Sequence, residues 1–337
     1  MISVVIPCHN AEATIAETLQ SALSQDVDRE IIVVDDGSTD GSAAVLAGFG
    51  ASIRLVSTPN RGASAARQSG AELARGDFIQ YLDSDDLLAE GTLARRLEAL
   101  AASGADVAHT DWRRLEPDGA GGFVPGEIRR PDVDSIERDA EAVTATSEFW
   151  APPAALLYRR EIVERIGDWP ANLPVIQDAR YLFEAAHRGA RFVHVPGIGA
   201  SYRVSPGSLS NRNQDRFVRD CAVNAGEIEA IWRADSALSP VRQAALVRIW
   251  ANIANTALLE GLDEFEAARL GYNRAAARRA TFEVGRVLRR TVGARAAAAL
   301  FRFAQRADRS LARPGRHGPR AAPDPGIGAD RQRTAAP

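Results

Sequence analysis

Four short apolar runs organise the first quarter of the chain. Ile2 to Pro7, Glu30 to Val34, Ile53 to Val56 and Phe78 to Leu82 are rich in β-branched and aromatic residues, and each gives way to turn-forming residues. Continuous apolar runs of this length read as strands buried on both faces, the parallel kind. The stretches between them have a helical period. Ile15, Leu19, Ala22 and Leu23 share one face, and Asn10 is placed to cap that helix. Thr39 or Asp40 is placed to cap a second helix, and a third runs from about Ala63 to Arg75. Such alternation implies right-handed crossovers and an α/β fold with a mostly parallel sheet. Ligands bind beyond the carboxyl ends of strands in these sheets. The loops after Pro7, Val34, Val56 and Leu82 all fall at that edge.

The pattern then loosens. A helix is expected around 90–103, a strand near 106–109 and a hairpin turn at Pro117-Asp118-Gly119. Residues 125–148 are polar and weakly periodic and receive no assignment. Pro152 to Tyr158 reads as a buried segment leading into a helix from Arg160 to Ile166. Another helix opens at Gln177-Asp178 and runs through His187, and Phe192 to Val195 is a short strand. From Arg212 to about Leu311 the period is helical, and the tail from Arg313, rich in Pro, Gly and Arg, is expected to be disordered.

Composition narrows the class. With 45% hydrophobic and 25% charged residues the chain is an ordinary globular one. It has no lysine, no apparent signal peptide and no apolar run of the roughly 20 residues needed to cross a bilayer. Cys8 and Cys221, the only cysteines, suit a reducing cytoplasm. Between Asn273 and Arg320 there are 13 Arg against Glu283 and Asp308, a local +11, and the first 272 residues carry −14. An acidic body argues against nucleic acid as a partner.

The candidate chemistry is concentrated in Asp83-Ser84-Asp85-Asp86, directly after the fourth strand. Asp83 and Asp85 point to one side of an extended chain, and both can reach one Mg²⁺ or Mn²⁺ that also takes substrate phosphate oxygens. A strand-end turn is the plainer reading. No Gly-x-Gly-x-x-Gly follows the first strand, and without lysine there is no Walker A loop, which excludes the common dehydrogenase and P-loop designs.

Taken in order, Val4-Val5-Ile6-Pro7-Cys8-His9-Asn10, Val33-Val34-Asp35-Asp36-Gly37-Ser38-Thr39-Asp40, Asn60-Arg61-Gly62 with Ala65-Ala66-Arg67, and Leu82-Asp83-Ser84-Asp85-Asp86 resemble the family 2 glycosyltransferases. The resemblance spans about residues 1–211. It implies a GT-A fold, nucleotide-sugar donors (UDP-sugars foremost) and inversion at the anomeric carbon. Residues 1–110 become the nucleotide-sugar-binding half, 111–211 the acceptor-side half, 212–311 a helical extension and 312–337 the disordered tail.

The resemblance also carries roles onto individual residues. Pro7, His9 and Asn10, with Asp35 and Asp36, surround the base, and one of the two acids accepts its imide N–H. The family's usual aromatic is His9 here. Arg67 and Ser84 face the nucleotide. Asp83 and Asp85 coordinate a divalent cation, Mn or Mg, supported by Asp86. Asp178 is the general base that deprotonates the acceptor hydroxyl, and Gln177 stands where the family has Glu. Arg203, ahead of Ser208-Leu209-Ser210, lies in the segment that closes over the diphosphate. Each position has a plainer reading as turn, helix cap or surface charge.

Trp112, Trp150 and Trp169 serve equally as core residues or as an acceptor-sugar platform. Leu300, Phe303, Ala304, Ala307 and Leu311 form an apolar stripe with arginines around it. It suits peripheral contact with an anionic inner-membrane face, or docking on the protein's own acidic body or a partner subunit. The acceptor is a glycan, a lipid-linked sugar or a small molecule. Two alternatives compete with catalysis of this type: a non-catalytic nucleotide-sugar-binding relative, and a sugar-1-phosphate nucleotidyltransferase, whose glycine-rich loop and lysine are missing here.

Overall fold

The computed structural model describes residues 1–204, 213–234, 238–276, 289, 293–300 and 302. Ser208-Leu209-Ser210, most of the apolar stripe from Phe303 onward and the tail lie outside the described residues. Apolar runs become strands where predicted: β1 (Ile2–Cys8), β2 (Arg29–Asp36), β3 (Arg54–Thr58) and β4 (Phe78–Tyr81). They pair in parallel in the order β3-β2-β1-β4, with Val4 opposite Ile31 and Gln80. Helices α1 (Ile15–Leu23), α2 (Ser42–Ala47) and α3 (Ala63–Leu73) make the crossovers.

The sheet continues through β8 (Leu156–Arg159), β6 (Val107–Pro117) and β9 (Phe192–Arg203) to the two-residue β5 (Leu87–Leu88), while β7 (Phe123–Arg129) hangs on β6 as a hairpin. Antiparallel β8 makes the sheet mixed. Helices α4 (Thr92–Ser103), α5 (Val133–Ala145), α6 (Arg160–Ile166) and α7 (Gln177–His187) complete this part. Then come α8 (Gln214–Ala234), α9 (Pro240–Glu260) and α10 (Phe265–Ala276).

Three details differ from the sequence expectation. Asn10 does not cap α1; its side-chain oxygen accepts the Thr39 N–H at 2.7 Å, tying two loops together. The short strand at Phe192 runs on to Arg203, through two register shifts against β6. Residues 125–148 hold the end of β7 and the helix α5, which Asp132 caps by accepting the Ser135 N–H.

One apolar core fills the space around the sheet, from Ile2 and Val33 through Tyr81 and Leu100 to Leu157. A second joins α8, α9 and α10 to Ala142 of α5 and Phe183 of α7. No described helix is long and apolar enough to cross a membrane.

Candidate active site

Beyond β4 the chain turns through Asp83–Asp86, closed by the Asp86 N–H donating to the Asp83 carbonyl at 3.0 Å. Thr14 and Thr18, one turn apart on the α1 side, both donate to the Ser84 carbonyl, at 2.9 and 3.0 Å. Asp86 is fully buried; its Oδ1 accepts the Arg203 N–H at 3.0 Å, and its Oδ2 has no hydrogen-bond partner. Asp83 is ion-paired with Arg67, whose guanidinium lies 4.6 Å over the ring of buried Trp169. Burial and then Asp83 push the Asp85 carboxyl up to about 6. Burial, Asp85 and Asp83 push Asp86 well above the usual carboxylate range. Three acids are thus crowded into one turn with Arg67 and Arg203 as the nearby countercharges.

Those residues fit a hard divalent cation. Among the described residues no three His, Cys, Asp or Glu side chains form a metal cluster by themselves. Two carboxylates completed by diphosphate oxygens is the other established arrangement for Mg²⁺-like ions. Burial and mutual repulsion raise the Asp85 and Asp86 carboxyls, and a bound cation would favour their ionised forms instead.

The loops expected around a base are laced together at the same edge. His9 Nδ1 donates to the Asp36 carbonyl at 2.9 Å, and the Asn60 amide nitrogen lies 3.0 Å from His9 Nε2. These partners select the Nδ1–H tautomer. Pro7 is buried in β1, while His9 and Asn10 are exposed. Asp36 is committed within the protein, accepting the N–H groups of Arg61 and Gly62 at 2.9 and 2.7 Å and the Thr58 hydroxyl at 3.3 Å. Asp35 accepts only the Ser38 N–H at 3.0 Å, among the bonds described for its side chain. Gly37, at φ 68°, lies so close to the next loop that a Cβ would stand 2.8 Å from the Asn60 nitrogen. Only glycine fits there.

Asp178 opens α7 and is half-buried. Burial raises its carboxyl; Arg67 opposes the rise and Asp83 adds to it, which puts both within electrostatic reach. The Trp150 indole donates to Asp178 Oδ2 at 3.0 Å. Tyr202 on β9 feels all four acids: its phenol is raised by burial and then by Asp86, Asp178, Asp83 and Asp85. Asp178 and the carboxylate turn therefore both lie within electrostatic reach of one aromatic side chain.

The other expected site residues divide. Arg203 reaches the turn, but its side chain is almost wholly buried, donating to the Asp85 carbonyl at 2.7 Å and paired with Glu17. It braces the carboxylate turn from behind. Trp112 and Trp169 are buried and Trp150 is half-buried. Sequence reasoning missed Glu17, Thr14 and Thr18 as braces and Tyr202 as the residue on which the acids act. The four-residue spacing of Thr14 and Thr18 on one helix face is the only signal the sequence offered.

The mixed sheet with its flanking helices is a GT-A fold. Residues 3–167 match the model described as Glycosyl transferase family 2. Over 251 residues the chain is 30% identical to the succinoglycan biosynthesis protein ExoU of Rhizobium meliloti, covering 67% of this chain and 70% of that protein. It belongs to glycosyl transferase family 2. It is 29% identical over 226 residues to the uncharacterized glycosyltransferase EpsJ of Bacillus subtilis, covering 62% of this chain and 63% of EpsJ. The chain spans between half and just under two thirds of the length of the first curated relatives it matches. Among solved structures, S. aureus TarS in complex with UDP-GlcNAc superposes with a TM-score of 0.55 at 18% identity, over 81% of this chain and 88% of that one. At that identity the likeness concerns the fold.

Proposed function

We propose that this chain is an inverting glycosyltransferase that moves a sugar from a nucleoside diphosphate donor, first among them a UDP-sugar, to an acceptor hydroxyl. The observation that supports it best is that Asp178 and the turn acids Asp86, Asp83 and Asp85 all act electrostatically on one side chain, the Tyr202 phenol.

In this reading Asp35 receives the base imide N–H, because Asp36 is already spent on the Arg61–Gly62 backbone. Asp83 and Asp85 would hold Mg²⁺ or Mn²⁺, which offsets charge growing on the departing diphosphate. Arg67 supplies fixed positive charge beside Asp83, and Arg203 keeps the turn in shape. Asp178 takes the proton from the acceptor oxygen as that oxygen attacks the anomeric carbon from the face opposite the diphosphate. Its raised carboxyl makes it a stronger base than an exposed aspartate. Residues 1–110 act as the donor half and 111–211 as the acceptor half; a glycan or lipid-linked acceptor agrees with the relatives named for polysaccharide assembly. Two free thiols, Cys8 and Cys221, suit a cytoplasmic setting.

A thermal-shift screen of nucleoside diphosphate sugars with and without Mn²⁺ identifies the donor, since ligand binding raises apparent stability. Asp178→Asn should then lose turnover by roughly a thousandfold or more while donor affinity holds. Retained turnover would remove the base from Asp178. Donor binding without turnover in the unaltered chain, for any acceptor offered, would favour the non-catalytic alternative.

A further inference from the structure

We infer that Trp150 is a positioning residue for Asp178: its indole N–H fixes one carboxylate oxygen and leaves the other to meet the acceptor hydroxyl. This rests on the reading of Asp178 as the base.

The bond is the 3.0 Å contact from Trp150 Nε1 to Asp178 Oδ2. What makes it a device rather than a chance contact is how the indole itself is held. Its ring meets Trp112 of β6 edge-on at 5.3 Å and 86°, and Tyr202 of β9 at 5.7 Å and 85°. Trp112 and Tyr202 close the triangle at 5.8 Å and 79°. Edge-to-face pairs are the favoured aromatic geometry. An indole has two side-chain torsions, and wedged between two such rings it cannot swing away. The sheet thereby dictates the rotamer of a carboxylate on a different element, the first turn of α7.

The charged and titratable groups that face Asp178 are Arg67 on α3, Asp83 after β4, Tyr158 on β8 and Tyr202 on β9. Against burial and Asp83, which favour the protonated acid, Arg67, the Ala179 backbone N–H and then the indole bond favour the carboxylate. Loss of the indole donor must therefore move the titration of Asp178 upward.

The test uses the full chain labelled with ¹³C at the aspartate side-chain carboxyls. The Asp178 resonance is identified by its loss in Asp178→Asn. Trp150→Phe should raise its titration midpoint by roughly half a unit to one unit, the worth of one hydrogen bond to a charged group in a half-buried site. If Trp150→Phe does not fold, replacement of Trp150 by benzothienylalanine keeps the ring shape and removes only the N–H. An unchanged midpoint in that isosteric variant overturns the inference. With the donor sugar that the chain turns over, kcat should fall about tenfold with donor KM kept; an unchanged kcat overturns it equally. Turnover surviving in Asp178→Asn would instead sink the base assignment, which keeps the two failures apart.

Discussion

Arg67 on α3 and Asp83 after β4 form an ion pair in which the arginine side chain is almost fully buried and the aspartate about a quarter exposed. Removing one member of a buried pair strands the other, at a cost of several kcal/mol when both are fully buried. Asp83 retains some water, so the smaller figure applies. Arg67→Met should lower stability by about 2 kcal/mol at pH 7, read from the urea midpoint. The same change should weaken donor binding measured by calorimetry.

Asp85 gives a pH prediction whose sign is fixed. Its folded carboxyl titrates at about 6, against a usual value of 3.8. A folded state that holds its proton more tightly than the unfolded state gains stability as pH falls through 6 toward 4. This site therefore destabilises the metal-free protein at neutral pH. Asp85→Asn should raise the melting temperature at pH 7.5 and change it little at pH 4.5, while turnover is lost. Added Mn²⁺ should stabilise the unaltered chain at pH 7.5 and progressively less below pH 6, because protons then compete for the ligand. A flat melting profile across that range would contradict both statements.

Asp36 accepts two hydrogen bonds from the turn that starts α3 and one from Thr58 of β3. Asp36→Ala leaves the backbone N–H groups of exposed Arg61 and Gly62 without their carboxylate in a part-buried place, and a loss of about 1 to 2 kcal/mol is expected. Because that turn also approaches Gly37 and His9, donor affinity should fall with stability. Asp35→Asn should behave differently, weakening donor binding with less than about 1 kcal/mol of stability lost. Paired urea melts and donor titrations of the two variants check the contrast.

Gly271 in α10 sits against Trp250 of α9, where a Cβ would come within 2.3 Å of the indole. Gly271→Ala gains up to about 1 kcal/mol of helix propensity but overpacks by about 1 to 3 kcal/mol. The net expectation is a modest fall in thermal stability with donor affinity unchanged, since no residue proposed to touch the donor lies on α9 or α10.

What could be read in advance follows from how local the signal is. Ile31 to Val34 is a strand in any context, and Asp35-Asp36-Gly37 must end it; the first four strands and their loops were legible for that reason. β9 was not, because Pro196, Gly197 and Gly199 look like breaks. Gly199 is required by packing instead: a Cβ there would strike the side chains of Thr110 and Thr92. Trp150 was legible as an aromatic but not as a partner of Asp178, since 28 residues separate them and only the tertiary fold brings them together. Arg203 read as a phosphate-facing arginine; its pairing with Glu17, 186 residues away in the chain, was not legible.

Helix α7 carries Asp178 in its first turn and sinks Phe183 against Trp232 of α8. Just ahead of it, the Val175 N–H donates to Asp220 of α8 at 3.1 Å. Modularity in this molecule is therefore lopsided. Under the proposed roles, exchanging residues 1–110 between relatives would change the donor-side loops and keep the contacts between α7 and α8. Grafting foreign helices in place of α8 would disturb the start of α7, and with it the position of Asp178.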